Sequence, residues 1–315
     1  MPPPPWQRHE YDRTMATTFR LGTRGSPLAL TQAGMVRDAL IAAHGWDDVE
    51  IVVVRTTGDR VQDRALAEIG GKALWTKELD RALLAGEVDA CVHSMKDVET
   101  IRPAEIAIAA ILPRADARDR LIGAESIEAL PHGAVLGTSS PRRRAQMLRR
   151  RPDLKVVLLR GNVDSRLGKL AAGEIDATLL AAAGLERLER HETGVPLPVE
   201  TTLPAPAQGA VGVETLADGP ARALVDVIDC ADTHRCIRME RALLAALGAT
   251  CHSPVAAIAT WQGDQIHLAA ELLDEDGTAH VGGSTIGPAE DALATALAAD
   301  LLERAPAVIR QLFGG

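Results

Sequence analysis

Residues 21–27 read LGTRGSP, and residues 136–141 read LGTSSP. In each, an apolar run reaches a Gly-Thr pair and a Ser-Pro pair follows. Such a run passes from strand to helix: the serine hydroxyl accepts an unpaired backbone N–H, and proline sits where no N–H is needed. A second match comes in the same order, GEVDACV at 86–92 and GEIDATL at 173–179, each joining the end of a helix to a strand. Two such matches predict an α/β protein with two lobes of common topology and a ligand between them.

Outward from this pair, Ser26 and Pro27 open the helical run LALTQAGMVRDALIAAHG, and VEIVVVR at 49–55 reads as a strand. The polar stretch TTGDRVQDRALAEIGGKALW at 56–75, with its Gly70-Gly71 pair, is expected to be a mobile loop and a lid. Thr76 is expected to cap KELDRALLAGE, and VDACVHS at 88–94 reads as a buried strand ending at Met95, Lys96 and Asp97. The second lobe alternates AVLGT, RRRAQMLRR, KVVLLRG, VDSRLGKLAAGE and DATLLAA in βα fashion. QGAVGVE at 208–214 is expected to return as a strand to the first lobe. Past Ala231 the pattern becomes a long helix through MERALLAALG, strands at VAAIATW and IHLAAEL, and an Ala-rich helix at 288–304. The expected division is a disordered tail at 1–16, a first domain at 17–112 with 208–230, a second at 113–207, and a small α/β domain at 231–315.

At 315 residues and 46% hydrophobic content the chain is too long for one core and too apolar to be disordered. No window approaches the roughly 20 apolar residues of a membrane span. The start, MPPPPWQRHEYDRT, lacks an export signal's apolar core, so the protein is expected in the cytoplasm with Cys91, Cys230, Cys236 and Cys251 reduced. Their spacing fits no zinc site, so no metal is expected. A net charge of −9 argues against nucleic acid as partner. Only five of the 34 positive residues are Lys, however, so nearly all positive charge sits on planar forks suited to carboxylate or phosphate.

Helix starts carry free N–H groups and a positive dipole end. LGTRGSP, LGTSSPRRR and LRGNVDSR therefore each offer an anion site, and Arg24, Ser26, Ser140, Arg142, Arg143, Arg160 and Arg166 are expected to converge on a ligand with several carboxylates. The run Arg149 to Arg151 reads instead as a solvated basic face. Asp97, at the end of an apolar strand, could stabilise a cation or serve as acid and base, or could simply cap a helix. His93 on that strand reads as a core histidine. Cys251, in LGATCHSPV, could be structural, redox-sensitive or nucleophilic.

VHSMKDV at 92–98 resembles the catalytic-strand signature of the porphobilinogen deaminase family. GTRGSPLAL, IGGKALWTKELDRALL, GTSSPRRRAQ, LRGNVDSRLGKL and APAQGAVGVE resemble that family's further motifs in the same order, from Arg20 to the end of the chain. The resemblance implies two lobes like those of type 2 periplasmic binding proteins and a third domain whose cysteine, by position Cys251, carries a thioether-linked dipyrromethane. It implies Asp97 as the catalytic carboxylate with Lys96 beside it, and Asp59, Thr138, Ser140, Arg142, Arg143 and Arg166 around the cofactor. Arg24, Ser26, Arg160 and Arg166 would hold the acetate and propionate groups of incoming porphobilinogen, with Gln208 at the hinge. The implied reaction is loss of ammonia from porphobilinogen and attack by the growing chain's terminal pyrrole on the resulting cation. Four rounds and a hydrolysis would complete it in a monomer without metal or nucleotide. The chain departs from the family at Ala249-Thr250, where two small residues are common before the cysteine, and Thr250 would crowd a turn that required positive φ. Pro141 in place of an aliphatic residue and Trp75 in place of Phe are further departures.

Two other readings share part of the pattern. A two-lobe solute-binding protein would use the arginines but needs neither Asp97 nor Cys251, and it usually carries an export signal. A hydrolase built on Cys251 and His252 would need adjacent residues to present both side chains to one centre, with an orienting acid that the sequence does not identify.

Overall fold

A computed structural model describes residues 18–54, 76–250 and 252–313. The expected tail, the lid at 56–75 with Asp59 and Trp75, and Cys251 lie outside them. The first lobe begins with β1 (Phe19–Thr23), α1 (Pro27–His44), β2 (Val49–Val53), α2 (Lys77–Leu84), β3 (Ala90–Ser94) and β4 (Ile106–Ile111). The second contains β5 (Asp119–Ile122), β6 (Val135–Thr138), α3 (Pro141–Arg150), β7 (Lys155–Leu158), α4 (Val163–Ala171), β8 (Ala177–Ala181), α5 (Ala182–Arg187) and β9 (Val195–Pro196). Then come β10 (Val211–Leu216), α6 (Ala221–Val225), α7 (Ala231–Ala246), β11 (Val255–Gln262), β12 (Gln265–Leu273), β13 (His280–Gly287) and α8 (Asp291–Arg304).

Among the described residues the first sheet runs β2-β1-β3-β10-β4 and the second β7-β6-β8-β5-β9. In each, one antiparallel strand comes from across the molecule: β10 lies between β3 and β4, and β5 between β8 and β9. The sequence repeat is carried into the register. Leu21 pairs with Ala90 and Gly22 with Cys91 in one sheet, while Leu136 pairs with Ala177 and Gly137 with Thr178 in the other. These are the same positions of LGT and of VDA or IDA, so the two lobes have one topology. Leu21, Leu121 and Leu136 are wholly buried on these strands, and each contributes about 1.5–3 kcal/mol of burial.

The C-terminal unit is an antiparallel sheet, β11-β12-β13, packed on α7 and α8 around Leu243, Leu268, Leu272 and Leu301. Its third strand, His280–Gly287, corrects the expectation of two strands followed by a helix from 288. HVGGSTIG is an edge strand with alternating exposure, and its glycines and polar residues hide the apolar period a sequence reading relies on. The closing helix starts at Asp291.

Two crossing segments join the lobes, and Glu240 of α7 ties them together. Its carboxylate accepts from Arg114 Nη1 (2.5 Å) and from the backbone N–H groups of Ala207 (2.5 Å) and Ala259 (2.7 Å). Ala207 has φ 61°, a left-handed conformation that costs a non-glycine residue about 1 kcal/mol, and the bond to buried Glu240 helps to hold it there. Two residues on, Gly209 (φ 89°) passes so near the other segment that a Cβ would lie 2.6 Å from the Ala115 carbonyl oxygen. The basic run at 149–151 has Arg149 and Arg150 exposed to solvent, as expected, and also carries two ion pairs, Arg149 with Glu271 of β12 at 2.9 Å and Arg151 with Asp153 at 2.7 Å.

Candidate functional site

A cleft of about 750 Å³ lies between the lobes and is closed on one side by the C-terminal unit. Three helix starts open onto it. Ser26 caps α1 by accepting from Ala29 N (3.3 Å), Ser140 caps α3 by accepting from Arg143 N (3.4 Å), and Asn162 caps α4 by accepting from Ser165 N (2.8 Å). The first two caps use the repeated Ser-Pro pair at matched positions of the two lobes. Thr76, expected to cap α2, occupies that position without a side-chain cap bond.

Seven basic residues line the cleft, Arg24, Lys96, Arg142, Arg143, Arg160, Arg166 and Arg187, against three acidic ones, Asp97, Glu99 and Asp164. An acidic chain therefore presents a cationic cleft, suited to a ligand with several carboxylates. Burial lowers the Lys96 ammonium to about 8 against the pull of Asp97. Burial, with Arg143 and Arg160 nearby, lowers Arg166 to about 10, again against Asp97. Both cations are short of compensating negative charge. Several buried donors have no partner among the described residues: Nε of Arg142, Arg143 and Arg187, and Nη1 of Arg160. Leaving a buried donor unsatisfied costs about 1–3 kcal/mol each.

Two of the expected ligand arginines are also held by the protein. Arg142 Nη1 and Arg143 Nη2 each donate to Asp119, at 2.7 Å, and Gln208 Nε2 donates to the same carboxylate at 2.9 Å. Burial opposes ionisation of Asp119, but Arg142 and Arg143 overcome it and keep its carboxyl well below the usual carboxylate range. Asp119 is wholly buried at the start of β5. Gln208 lies at the crossing of the lobes, with its second donor bond to Ala117 O (2.7 Å) and its Oε1 buried without a partner. Arg166 Nε donates to Gly161 O at 2.9 Å, which aims the rest of its guanidinium into the cleft wall.

Of the residues expected at the site, Arg24, Ser26, Lys96, Asp97, Ser140, Arg142, Arg143, Arg160, Arg166 and Gln208 line the cleft. Thr138 does not: it is buried and its hydroxyl accepts from Ser140 N at 3.1 Å, so it shapes the turn behind the wall. Asp97 is the last residue of a single 3-10 turn, Met95–Asp97, and its side chain is exposed to the cleft rather than buried, capping no helix. Among the described residues its carboxylate makes no hydrogen bond, which leaves both oxygens for a ligand. His93 faces away, into a buried cluster where its Nε2 lies 3.1 Å from Glu214. Burial would raise the Glu214 carboxyl, but His93 and Arg102 bring it down to about 2.

The chain around position 251 reaches the cleft from the C-terminal unit, where Thr250 and His252 both line it. The left-handed residue of this turn is Gly248 (φ 63°), so Thr250 needs no positive φ and the Ala249-Thr250 departure is accommodated. Thr250 instead organises the loop: its N–H donates to Ser253 Oγ at 3.1 Å and its Oγ1 accepts from His252 N at 3.2 Å.

Sequence reading missed Asp119, Arg187 and Gln146. Arg187, at the end of α5, donates to Gly209 O (2.7 Å) and lines the cleft. Gln146 accepts from Arg142 and donates to Glu271, linking the cleft wall to the C-terminal sheet. A charge heading the apolar run DRLI was a signal for Asp119, the same one that singled out Asp97. In AAAGLERLER nothing distinguishes Arg187 from its neighbours.

Comparison with known proteins gives two matches to family models. "Porphobilinogen deaminase, dipyromethane cofactor binding domain" matches residues 19–222, and "Porphobilinogen deaminase, C-terminal domain" matches residues 234–303. The porphobilinogen deaminase of Sphingopyxis alaskensis is 58% identical over 304 residues, covering 94% of this chain and 96% of that protein. That of Paracoccus denitrificans is 50% identical over 297 residues, covering 92% and 95%. Among solved structures, the periplasmic VFT2 domain of Bordetella pertussis BvgS overlaps 70% of this chain and 91% of its own, at 14% identity and a TM-score of 0.41.

Proposed function

Since the chain belongs to the porphobilinogen deaminase family, we propose that it is a transferase condensing four porphobilinogen units and then releasing hydroxymethylbilane. Ammonia leaves at each condensation and water releases the product. The carrying observation is the exposed Asp97 carboxylate, which accepts no hydrogen bond among the described residues, in a cleft lined by seven basic residues.

The dipyrromethane of this family fits those residues, because its acetate and propionate groups match a cleft lined by seven basic residues against three acidic ones. Arg142, Arg143, Arg166, Ser140 and Lys96 would hold it, with attachment at Cys251, which lies outside the described residues. Asp59, also outside them, belongs to the same proposed set. When bound, the group supplies a free pyrrole α-carbon as nucleophile. Asp97 faces the place where positive charge develops as ammonia leaves the substrate; a carboxylate there stabilises that charge and accepts pyrrole N–H bonds that fix the ring for attack. Arg24, Ser26, Arg160 and Arg187 clamp the substrate carboxylates, two of them supported by helix starts. Gln208, bonded to Ala117 and Asp119, keeps the hinge and the arginine pair in register. The division at 17–112 with 208–230, 113–207 and 231–315 belongs to this reading and is supported by the three separate sheets. So does a monomer in the cytoplasm; no helix among the described residues is long and apolar enough to cross a membrane.

Intact mass tests this directly. The purified protein should exceed its chain mass by a dipyrromethane and give the colour of pyrroles with acidic aldehyde reagent, while Cys251→Ser should do neither. A bare chain with no colour, and no reconstitution by porphobilinogen, would sink the reading.

A further inference from the structure

The segment immediately after Asp97 is bonded to the C-terminal unit at four points. Arg241, inside α7, donates through Nη2 to the carbonyls of Glu99 (2.6 Å) and Thr100 (3.0 Å), and through Nη1 to that of Val98 (3.4 Å). Thr100 Oγ1 in turn donates to the carbonyl of Ala249 at 2.9 Å. Ala249 is buried and lies two residues before Cys251 in sequence. On its other side the segment is anchored to the first lobe. Arg102 donates to Glu99 Oε2 (2.8 Å) and to both carboxylate oxygens of buried Glu214 (2.8 Å each), and it pairs with Asp80.

Arg241 acts here as a donor to backbone carbonyls. In the described residues Arg241 bonds no carboxylate; its guanidinium is spent on three successive carbonyls of another unit. Those carbonyls begin one residue past Asp97, whose own turn is closed by Val98 N donating to Met95 O at 3.3 Å. The bonds thus connect α7 to the backbone directly after the Asp97 turn. Thr100 completes the link, because its hydroxyl ties the same segment to the loop that leads to position 251.

We propose that Thr100 and Arg241 are positioning residues, which hold the Asp97 turn and the attachment loop in one fixed relation so that the carboxylate stays aligned with rings tethered to that loop. The inference rests on the functional reading above. Neither residue touches the substrate in this account, and neither lines the cleft. Condensation requires near-attack geometry, and a displacement of about 1 Å can cost on the order of a hundredfold in rate. Losing one of four bonds should cost part of that.

The test compares Thr100→Val, Thr100→Ser and Arg241→Lys in the cofactor-loaded full chain, with kcat, KM, pyrrole content per chain and melting temperature measured on each. Thr100→Val should lower kcat about tenfold with KM and pyrrole content unchanged, and Thr100→Ser, which keeps the hydroxyl, should restore it. Arg241→Lys, which retains charge but reaches fewer carbonyls, should also lower kcat per loaded chain. A purely structural role would lower melting temperature or loading and leave kcat per loaded chain at the wild-type value; that result in either Thr100→Val or Arg241→Lys overturns the inference. Wild-type protein with no pyrrole and no consumption of porphobilinogen would instead overturn the functional reading, and this inference with it.

Discussion

Asp119→Asn tests whether the cationic wall of the cleft is built by the protein before any ligand arrives. The carboxylate is wholly buried and accepts from Arg142 Nη1 and Arg143 Nη2 at 2.7 Å and from Gln208 Nε2 at 2.9 Å. Asparagine keeps the shape and one acceptor, but it removes the charge and turns an NH₂ group toward a guanidinium. Breaking a buried pair from one side costs about 3–5 kcal/mol, because the remaining charge is left uncompensated. For 315 residues, each adding about 2.1 cal/mol/K to the unfolding entropy, that corresponds to roughly 5–8 °C in melting temperature.

Calorimetry of the cofactor-free chain, prepared as Cys251→Ser in both backgrounds, measures the loss without ligand carboxylates to mask it. The pH dependence supplies a second reading. The Asp119 carboxyl is depressed in the folded state, so its contribution is complete above the unfolded value of about 3.9 and declines as pH falls below it. The gap between the two proteins should thus be flat from about pH 8 to pH 5 and narrow below about pH 4. A melting temperature within about 2 °C of the parent at pH 7, or a gap that widens in acid, would refute the assignment of Asp119 as the charge that assembles this wall.

Asp97→Asn should keep the fold and the pyrrole mass but lose on the order of a hundredfold or more in turnover; near-normal turnover would remove Asp97 from the chemistry. Arg187→Met should raise KM for porphobilinogen roughly ten- to a hundredfold, the worth of one charge-assisted hydrogen bond, with kcat changed far less, and an unchanged KM would exclude it as a carboxylate clamp. Lys96 has a folded value of about 8, below that of the unfolded chain. Between about pH 8 and about 10.4 the unfolded state therefore binds more protons, and cofactor-free protein should gain stability as pH rises through that window. Melting temperatures from pH 7 to 10 check this: Lys96→Met should remove the rising limb, and an identical limb in that variant would assign it to another group.

Much of the site was legible because its residues sit at places where local chemistry is distinctive. Ser26-Pro27, Ser140-Pro141 and Asn162 announce helix starts on their own, and Arg24, Arg160 and Arg166 are placed by the strands and helices they border. Thr138 shares the same motif yet turns its side chain into the wall, since a strand's last residue faces one side or the other according to register. Gln146 and Arg187 carry no local mark. Each gains its role from a carbonyl or carboxylate more than twenty residues away, Leu203 and Glu271 for the first and Gly209 for the second.

The sequence by itself determined that there are two like lobes, because the strand-to-helix and helix-to-strand joints are repeated and each is a local event of capping, turn chemistry and alternation. It also pointed to an anionic ligand, through the concentration of arginine at those joints. Only the tertiary structure decided how the charges are shared. Asp119 takes up two of the arginines, Glu240 locks the crossing of the lobes, and Arg241 with Thr100 binds the Asp97 turn to the C-terminal unit. These bonds join residues distant in the chain, and burial makes each strong; neither property is written in the residues' immediate neighbours.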